Sequence, residues 1–410
     1  MKTRRCRICN AKITKTFVNL GNMPLANAFL KKNIVHKELT LPLHAYVCSQ
    51  CFLVQLEKIE EPKNIFSDYA YFSSYSKTWL KHSKDYVDKM MKKFRLDSKS
   101  LVIEIASNDG YLLQYFKKSK IPVLGIEPAI NVAKIAQKKD IPTITKFFGT
   151  KLATELKKSG KIPRLLIANN VLAHVPEVND FVEGLKIILD SKGIITIEFP
   201  HLLQLIKKNQ FDTIYHEHFS YFSLITVKRL FELHNLEIFD VEEISTHGGS
   251  LRIYVKHKEN KNIKRKKSVN RLIKKEKLFG LIKLSTYTNF SKKTKLSQKK
   301  IVDFLTNAKN AKKIVVGYGA PAKGNTLLNY CKVNSKLIRY TVDMNPHKQG
   351  LYLPGTHIPI RAPQEIFKTK PDYVMILPWN LKNEIMRQNK DIRKWGGKFV
   401  VPIPKVRIYR

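Results

Sequence analysis

The chain has 410 residues, 43% hydrophobic and 26% charged, which allows about two to four domains with real cores and excludes a disordered or membrane-embedded polypeptide. Its 75 Lys and Arg against 33 Asp and Glu give +42 at pH 7, an excess that points either to a polyanion partner or to a lysine-rich solvated surface. The charge clusters only over 256–300, with 17 Lys or Arg and two Glu. Neither an aromatic-rich RNA-binding signature nor a helix-turn-helix pattern accompanies it, so no specific nucleic-acid partner is expected.

The start, MKTRRCRICNAKITKTF, is basic but lacks the apolar stretch of a secretory signal, and no apolar run has the length to cross a bilayer. A cytoplasmic protein without a membrane partner is expected, and in a reducing compartment paired cysteines bind metal more often than they form disulfides. Cys6-x-x-Cys9 and Cys48-x-x-Cys51 are two identical knuckles separated by 38 residues. Two such knuckles complete a tetrahedral, closed Zn²⁺ site, so a structural metal in a small N-terminal domain is expected. Cys331 stands alone in an apolar helical stretch and reads as a core residue.

Next come YAYFSSYS and a helical pattern through Trp79, Tyr86, Met90 and Phe94. SLVIEIASNDGYLLQYF reads as a strand, a Ser-Asn-Asp-Gly turn and a helix, and VLGIEP as a second strand ending in Glu127. LLIANN and GIITIEFP are later strands, and the alternation predicts a parallel sheet with helices on its faces. Ligands of such sheets sit at the carboxyl ends of the strands, where the first turn and Glu127 both lie. A carboxylate there can accept the two hydroxyls of a ribose. The turn lacks G-x-G-x-x-G, and the pattern looks like that of class I S-adenosylmethionine (SAM) methyltransferases rather than of a dinucleotide domain.

FDTIYHEHFSYFS then packs Tyr215, His216, Glu217, His218 and Tyr221 into seven positions. Alternation would place Tyr215 and Glu217 on one face of an extended segment, whereas a helical turn would bring Tyr215 beside His218; either way phenol, carboxylate and imidazole share one small volume, which suits proton transfer. A buried polar network or a second metal site are the alternatives. HGGSLRIYV is a Gly-Gly turn entering a strand, and the basic stretch after it reads as a charged linker helix. From Lys312 a second α/β unit begins: KIVVGYG, the turn Ala320-Pro-Ala-Lys-Gly324, a strand ending at Asp343, and DYVMILPWN. Its glycine turn before a helix is an anion cradle to which Lys323 adds charge. Gly317-x-Gly319-x-x-x-x-Gly324 departs from the dinucleotide fingerprint, yet an NAD(P)-linked oxidoreductase remains a rival reading, and a basic zinc-containing nucleic-acid-binding protein a more distant one.

The knuckles, YAYFSS, EIASNDGYLL, GIEP, NNVLAHVP, FDTIYHEHFSYFS, HGGSLR, VGYGAPAKG and the DMNPHKQGLYLPGTHIPI–PWN tail, in this order, resemble the sugar C-methyltransferases. Members of that family methylate carbon 3 of nucleotide-linked 4-keto-deoxy sugars through an enolate. The resemblance implies an α/β protein with a zinc-binding domain (1–62), a SAM-dependent methyltransferase domain of Rossmann-like class I fold (63–255), a basic helical linker (256–305) and a C-terminal Rossmann-like domain holding the nucleotide sugar (306–410). It implies Cys6, Cys9, Cys48 and Cys51 as zinc ligands. Glu104, Asn108, Asp109, Gly110, Glu127, Asn169 and Asn170 would form the SAM site, although Ala106 stands where many class I enzymes carry glycine. Tyr71, His174, Tyr215, Glu217 and His218 would form the active site, with His218 as base held by Glu217 and Tyr215 as enolate donor or alternative base. Lys323, Asp343, Lys348 and Trp379 would contact the nucleotide sugar or simply complete the second α/β core. Nothing in the sequence sets the oligomeric state.

Overall fold

Residues 4–31, 38–57, 73–75 and 77–410 are described by the computed structural model, and they form sheets of four, seven and six strands. Strands β1 (Lys15–Pro24), β2 (Thr40–Val47) and β3 (Val54–Leu56) make an antiparallel meander beside the cysteine knuckles. Helix α1 (Lys77–Phe94) leads into β4 (Val102–Ile105), α2 (Leu113–Lys118), β5 (Val123–Ile126), α3 (Ile130–Lys138), β6 (Thr143–Ile144), α4 (Thr150–Lys158), β7 (Leu165–Ile167), α5 (Val178–Ile188), β8 (Ile194–Pro200) and α6 (Leu202–Lys207). β9 (Ser220–Tyr221), α7 (Leu224–Leu233), β10 (Leu236–Ile244) and β11 (Ser250–His257) follow.

The seven-stranded sheet runs β6-β5-β4-β7-β8-β11-β10, with β4 to β8 parallel and β11 antiparallel to both of its neighbours. All four residues of β4 are buried, as a strand covered by helices on both faces requires. Strand β4 pairs with both β5 and β7, so the chain reverses its winding direction there and opens a crevice at the carboxyl ends. β9 leaves this unit and pairs with β3, so the loop carrying residues 211–223 is stitched into the N-terminal sheet.

Helices α8 (Lys267–Phe279) and α9 (Leu284–Asn310) occupy the basic stretch. The lysines of these two helices face water, but their apolar stripe does not. Tyr287 and Phe290 are fully buried, and Phe290 stacks on Phe17 of β1 with ring centroids 4.5 Å apart. Glu276 is fully buried as well. Its carboxylate accepts the Leu224 and Ile225 N–H groups at the start of α7, at 2.6 and 2.8 Å, and pairs with His201 at 2.6 Å. Those N–H groups are the orphan donors of a helix start, so α8 is bound to the methyltransferase unit through a buried cap.

The last unit holds β12 (Val315–Tyr318), α10 (Ala322–Tyr330), β13 (Thr341–Val342), β14 (Ile360–Arg361), α11 (Glu365–Thr369), β15 (Tyr373–Ile376), α12 (Lys382–Gln388), β16 (Lys398–Val401) and β17 (Arg407–Tyr409). Its sheet is parallel except for β17. Among the described residues no helix is long and apolar enough to cross a membrane.

Candidate active site and metal centre

The four knuckle sulfurs lie within 4.8 Å of one another, with Cys6–Cys51 at 3.4 Å and Cys9–Cys48 at 3.6 Å. A tetrahedral Zn²⁺ with sulfurs at about 2.3 Å sets them about 3.8 Å apart, so the array fits the ion. Asn10 donates its N–H to the Cys6 carbonyl and Phe52 to that of Cys48, each at a positive φ that closes the knuckle. The cysteines are not paired in disulfides. Cys331 is buried far from them in the C-terminal core.

At the carboxyl ends of β4, β5 and β7 the first turn is wound tightly. Ala106, Asn108 and Gly110 have φ of 55°, 50° and 74°, so the turn takes the conformation glycine favours although Ala106 is not one. Glu127 accepts the Asn108 N–H and the Ala129 N–H at 2.9 Å each, one per oxygen, which leaves the second lone pair of each oxygen for a ribose. Asn169 accepts the Glu198 N–H at 3.1 Å, whereas Asn170, with φ 56°, keeps its Oδ1 without a partner among the described residues. Glu104 Oε2, Asp109 Oδ1 and Ser107 Oγ are buried and likewise unpartnered. Burial pushes the Glu104 carboxyl well above its usual range, and Glu127, Asp109 and Glu198 add to the rise. Such a group of carboxyls suits SAM, which carries a sulfonium and an ammonium, and the orphaned oxygens fit its donors.

Residues 215–218 form the anticipated turn, closed by the His218 N–H on the Tyr215 carbonyl at 2.9 Å. The Tyr215 hydroxyl lies 2.8 Å from His218 Nε2, and His218 Nδ1 lies 2.9 Å from the Thr213 carbonyl. A carbonyl only accepts, so Nδ1 carries the proton and Nε2 offers its lone pair to the phenol. His174 packs edge-on against the His218 ring at 4.7 Å and faces the Glu217 main-chain carbonyl. Burial, with His174 and His247 nearby, pushes His218 well below its usual range, and burial takes His174 down to about 4. Both imidazoles are therefore neutral at pH 7.

The expected support of His218 by Glu217 is not what is seen, because both ring nitrogens are engaged elsewhere. Consecutive side chains of the turn diverge, and the Glu217 carboxylate accepts from Asn27 Nδ2 at 2.6 Å instead. His216 turns away toward the Leu41 and Pro42 carbonyls. Tyr71 lies outside the described residues.

The four residues expected at the nucleotide sugar gather around the Gly319–Lys323 turn. Asp343 accepts the Ala320 N–H at 2.7 Å, and Lys348 donates to the Ala320 carbonyl at 2.9 Å. Lys323 bonds to Asn380 and lies 4.7 Å above the Trp379 ring. Burial lowers Lys323 to about 8, opposed by Asp212. Trp379 Nε1 donates to Asp212 at 2.6 Å, and burial raises the Asp212 carboxyl to about 6 against the pull of Lys323 and Trp379.

Asp212, Asn27 and His247 escaped the sequence reading. His247 precedes the two glycines in HGGSLR, has φ 52°, lies 5.2 Å from Trp79, and is lowered to about 4 by burial and by Lys323. Any side chain on Gly248 would strike Trp379 at 2.5 Å, which is why glycine stands there. Asp212 sat in a motif already marked by its imidazoles, but Asn27 carried no local signal.

Three family models match the chain: a zinc binding domain over residues 6–66, a methyltransferase domain over 79–241, and a C-methyltransferase C-terminal domain over 245–404. The chain is 34% identical to C-methyltransferase NovU of Streptomyces niveus over 404 residues, covering 98% of this chain and 96% of that protein. Among solved structures it is similar to the PH0226 protein of Pyrococcus horikoshii OT3, with TM-score 0.38 and 14% identity over 48% of this chain and 99% of the other. It is also similar to the magnesium protoporphyrin IX methyltransferase of Synechocystis PCC 6803, with TM-score 0.35 and 14% identity over 43% and 83%.

Proposed function

Because the chain belongs to the SAM-dependent C-methyltransferases, we propose that it methylates carbon 3 of a nucleotide-linked 4-keto-deoxy sugar through an enolate. The observation that carries this reading is the half-buried Tyr215 phenol hydrogen-bonded to the buried, neutral imidazole of His218. Unlike an oxygen or a nitrogen, a carbon has no lone pair to offer a methyl group, so its hydrogen must first be removed. A ketone on the neighbouring carbon makes that hydrogen acidic enough for a general base.

Bound SAM supplies an electrophilic methyl on a sulfonium. As the Tyr215 oxygen takes the proton from carbon 3, its own proton passes to His218 Nε2. The electron pair left on carbon spreads onto the carbon-4 oxygen; SAM, which the Asn108–Gly110 turn and Glu127 would hold, would supply the methyl for that carbon and be left as a neutral thioether. The imidazolium formed on His218 is stabilised by its Nδ1–H bond to Thr213. The resemblance assigns Tyr71 and His174 to the sugar and its enolate oxygen. Lys323, Lys348, Trp379 and Asp343 frame the turn that would receive the nucleotide diphosphate, with half-buried Lys323 as a cation. A biosynthetic enzyme of this kind works in the cytoplasm.

The test is incubation with SAM and dTDP-, GDP- and CDP-linked 4-keto-deoxy sugars, with the product read by mass and the methyl position by NMR. A gain of one methyl at carbon 3 is expected. Methylation elsewhere, or only of non-sugar ketones, sinks the substrate assignment.

A further inference from the structure

We infer that Asn27, in the N-terminal zinc-bearing unit, is a positioning residue for the active-site loop, acting through its hydrogen bond to Glu217. The inference rests on the reading that places Glu217 in the active site. Glu217 is 3% exposed, and a carboxylate removed from water must be supplied with donors. Asn27 Nδ2 meets it at 2.6 Å across 190 residues of sequence. A carboxylate can only accept, so the amide nitrogen is the end that faces it. The Lys348 ammonium lies within electrostatic reach of the same carboxylate.

The donor does not move freely. Asn27 sits in a tight turn after β1, closed by the Ala28 N–H on the Leu25 carbonyl at 3.1 Å. The C-terminal unit grips this turn from both sides. Asn325 Nδ2 donates to the Ala26 carbonyl at 2.6 Å, and Leu30 and Tyr352 exchange main-chain hydrogen bonds of 3.0 and 2.8 Å. Lys348 lies 4.8 Å over the Phe29 ring. The turn is thus a strap from the first unit, clamped by the third, whose tip holds the residue between His216 and His218. Because Tyr215 and His218 share that four-residue turn, fixing the Glu217 side chain fixes where the phenol and the imidazole point.

The experiment uses the full-length, zinc-loaded protein and compares N27L, N27D, N27Q, E217Q and the N27L/E217Q double variant. The readouts are kcat and KM on a 4-keto nucleotide sugar, SAM affinity and melting temperature. N27L keeps the shape without the donor, and its kcat is expected to fall about 10- to 100-fold with both KM values within about twofold. N27D sets two carboxylates face to face and falls at least as far, whereas N27Q keeps the amide and recovers most of the rate. The double variant loses no more than E217Q alone.

Wild-type kcat in N27L and N27D, or losses that multiply in the double variant, overturns the inference. N27D differs from the native residue by a single group, so it decides the matter even if N27L folds poorly. Wild-type kcat in E217Q instead overturns the placement of Glu217 itself, and the inference with it. An impaired E217Q beside an unimpaired N27L defeats the inference alone.

Discussion

The phenol of Tyr215 and the imidazole of His218 share a 2.8 Å hydrogen bond whose direction is set from behind, because the Thr213 carbonyl claims the other ring nitrogen at 2.9 Å. The imidazole is therefore an acceptor toward the phenol. In the mechanism we propose, Tyr215 is the proton-accepting group and His218 the reservoir behind it.

Y215F and H218N are each expected to lower kcat by about 10²- to 10⁴-fold, the usual reach of general-base catalysis. SAM affinity, read as the melting-temperature rise on adding SAM, should stay near the wild-type value in both. Exchange of the carbon-3 hydrogen in deuterated water should vanish with kcat. Wild-type exchange in Y215F would show that His218 takes the proton directly.

The pH dependence follows from burial. A depressed His218 stays neutral through its usual value near 6.5, so kcat should hold at pH 6.5 and fall only well below it. Stability has the same sign. His174 and His247 titrate at about 4 in the folded protein, so between about pH 6.5 and 4 the unfolded chain binds protons that the folded one refuses. Unfolding free energy should drop as pH falls through that window and level off below it. Urea titrations at pH 7, 5.5 and 4.5 check this, and H174N should flatten the slope.

The zinc site should be structural. C48S is expected to abolish stoichiometric zinc and lower the melting temperature, whereas C331S should keep the metal. Metal analysis alongside calorimetry decides it, and a zinc-free wild type of normal stability refutes the structural role.

E127Q tests the SAM site. Both Glu127 oxygens accept main-chain N–H groups, and a glutamine amide would turn a donor toward one of them. SAM affinity should weaken at least about tenfold, as the loss of a charged hydrogen bond implies, while kcat at saturating SAM changes little. Calorimetric titration with SAM reads the first and steady-state kinetics the second.

W379F removes the donor that Asp212 uses at 2.6 Å and leaves a buried carboxylate without it. A loss of about 1–3 kcal/mol is expected at pH 7.5. Asp212 titrates at about 6, and a neutral carboxyl tolerates burial better, so the loss should shrink at pH 5. Denaturant unfolding of both proteins at the two pH values is the check.

Several parts of this enzyme were legible because they are local. The two knuckles are fixed by spacing, and the Asn108–Gly110 turn and Glu127 by the strand–helix alternation around them. The Tyr215–His218 pair needs only three residues of separation, the distance one turn spans. The expectation that Glu217 would support His218 failed for the same reason, since neighbouring side chains on a tight turn point apart. Helices α8 and α9 occupy much of the basic stretch 256–305, whose charge masked the apolar stripe that carries Tyr287 and Phe290 into the core.

What the sequence by itself determined, then, is the order of zinc unit, methyltransferase sheet and second α/β unit, together with the residues whose chemistry is set within one turn or one strand end. Tertiary structure alone decided who faces whom across the units: Asn27 with Glu217, Trp379 with Asp212, and His247 with Lys323. The physical reason is separation along the chain. Periodicity reports burial of a side chain within its own element, whereas a hydrogen bond spanning 167 or 190 residues depends on how three cores pack, and no local pattern carries that.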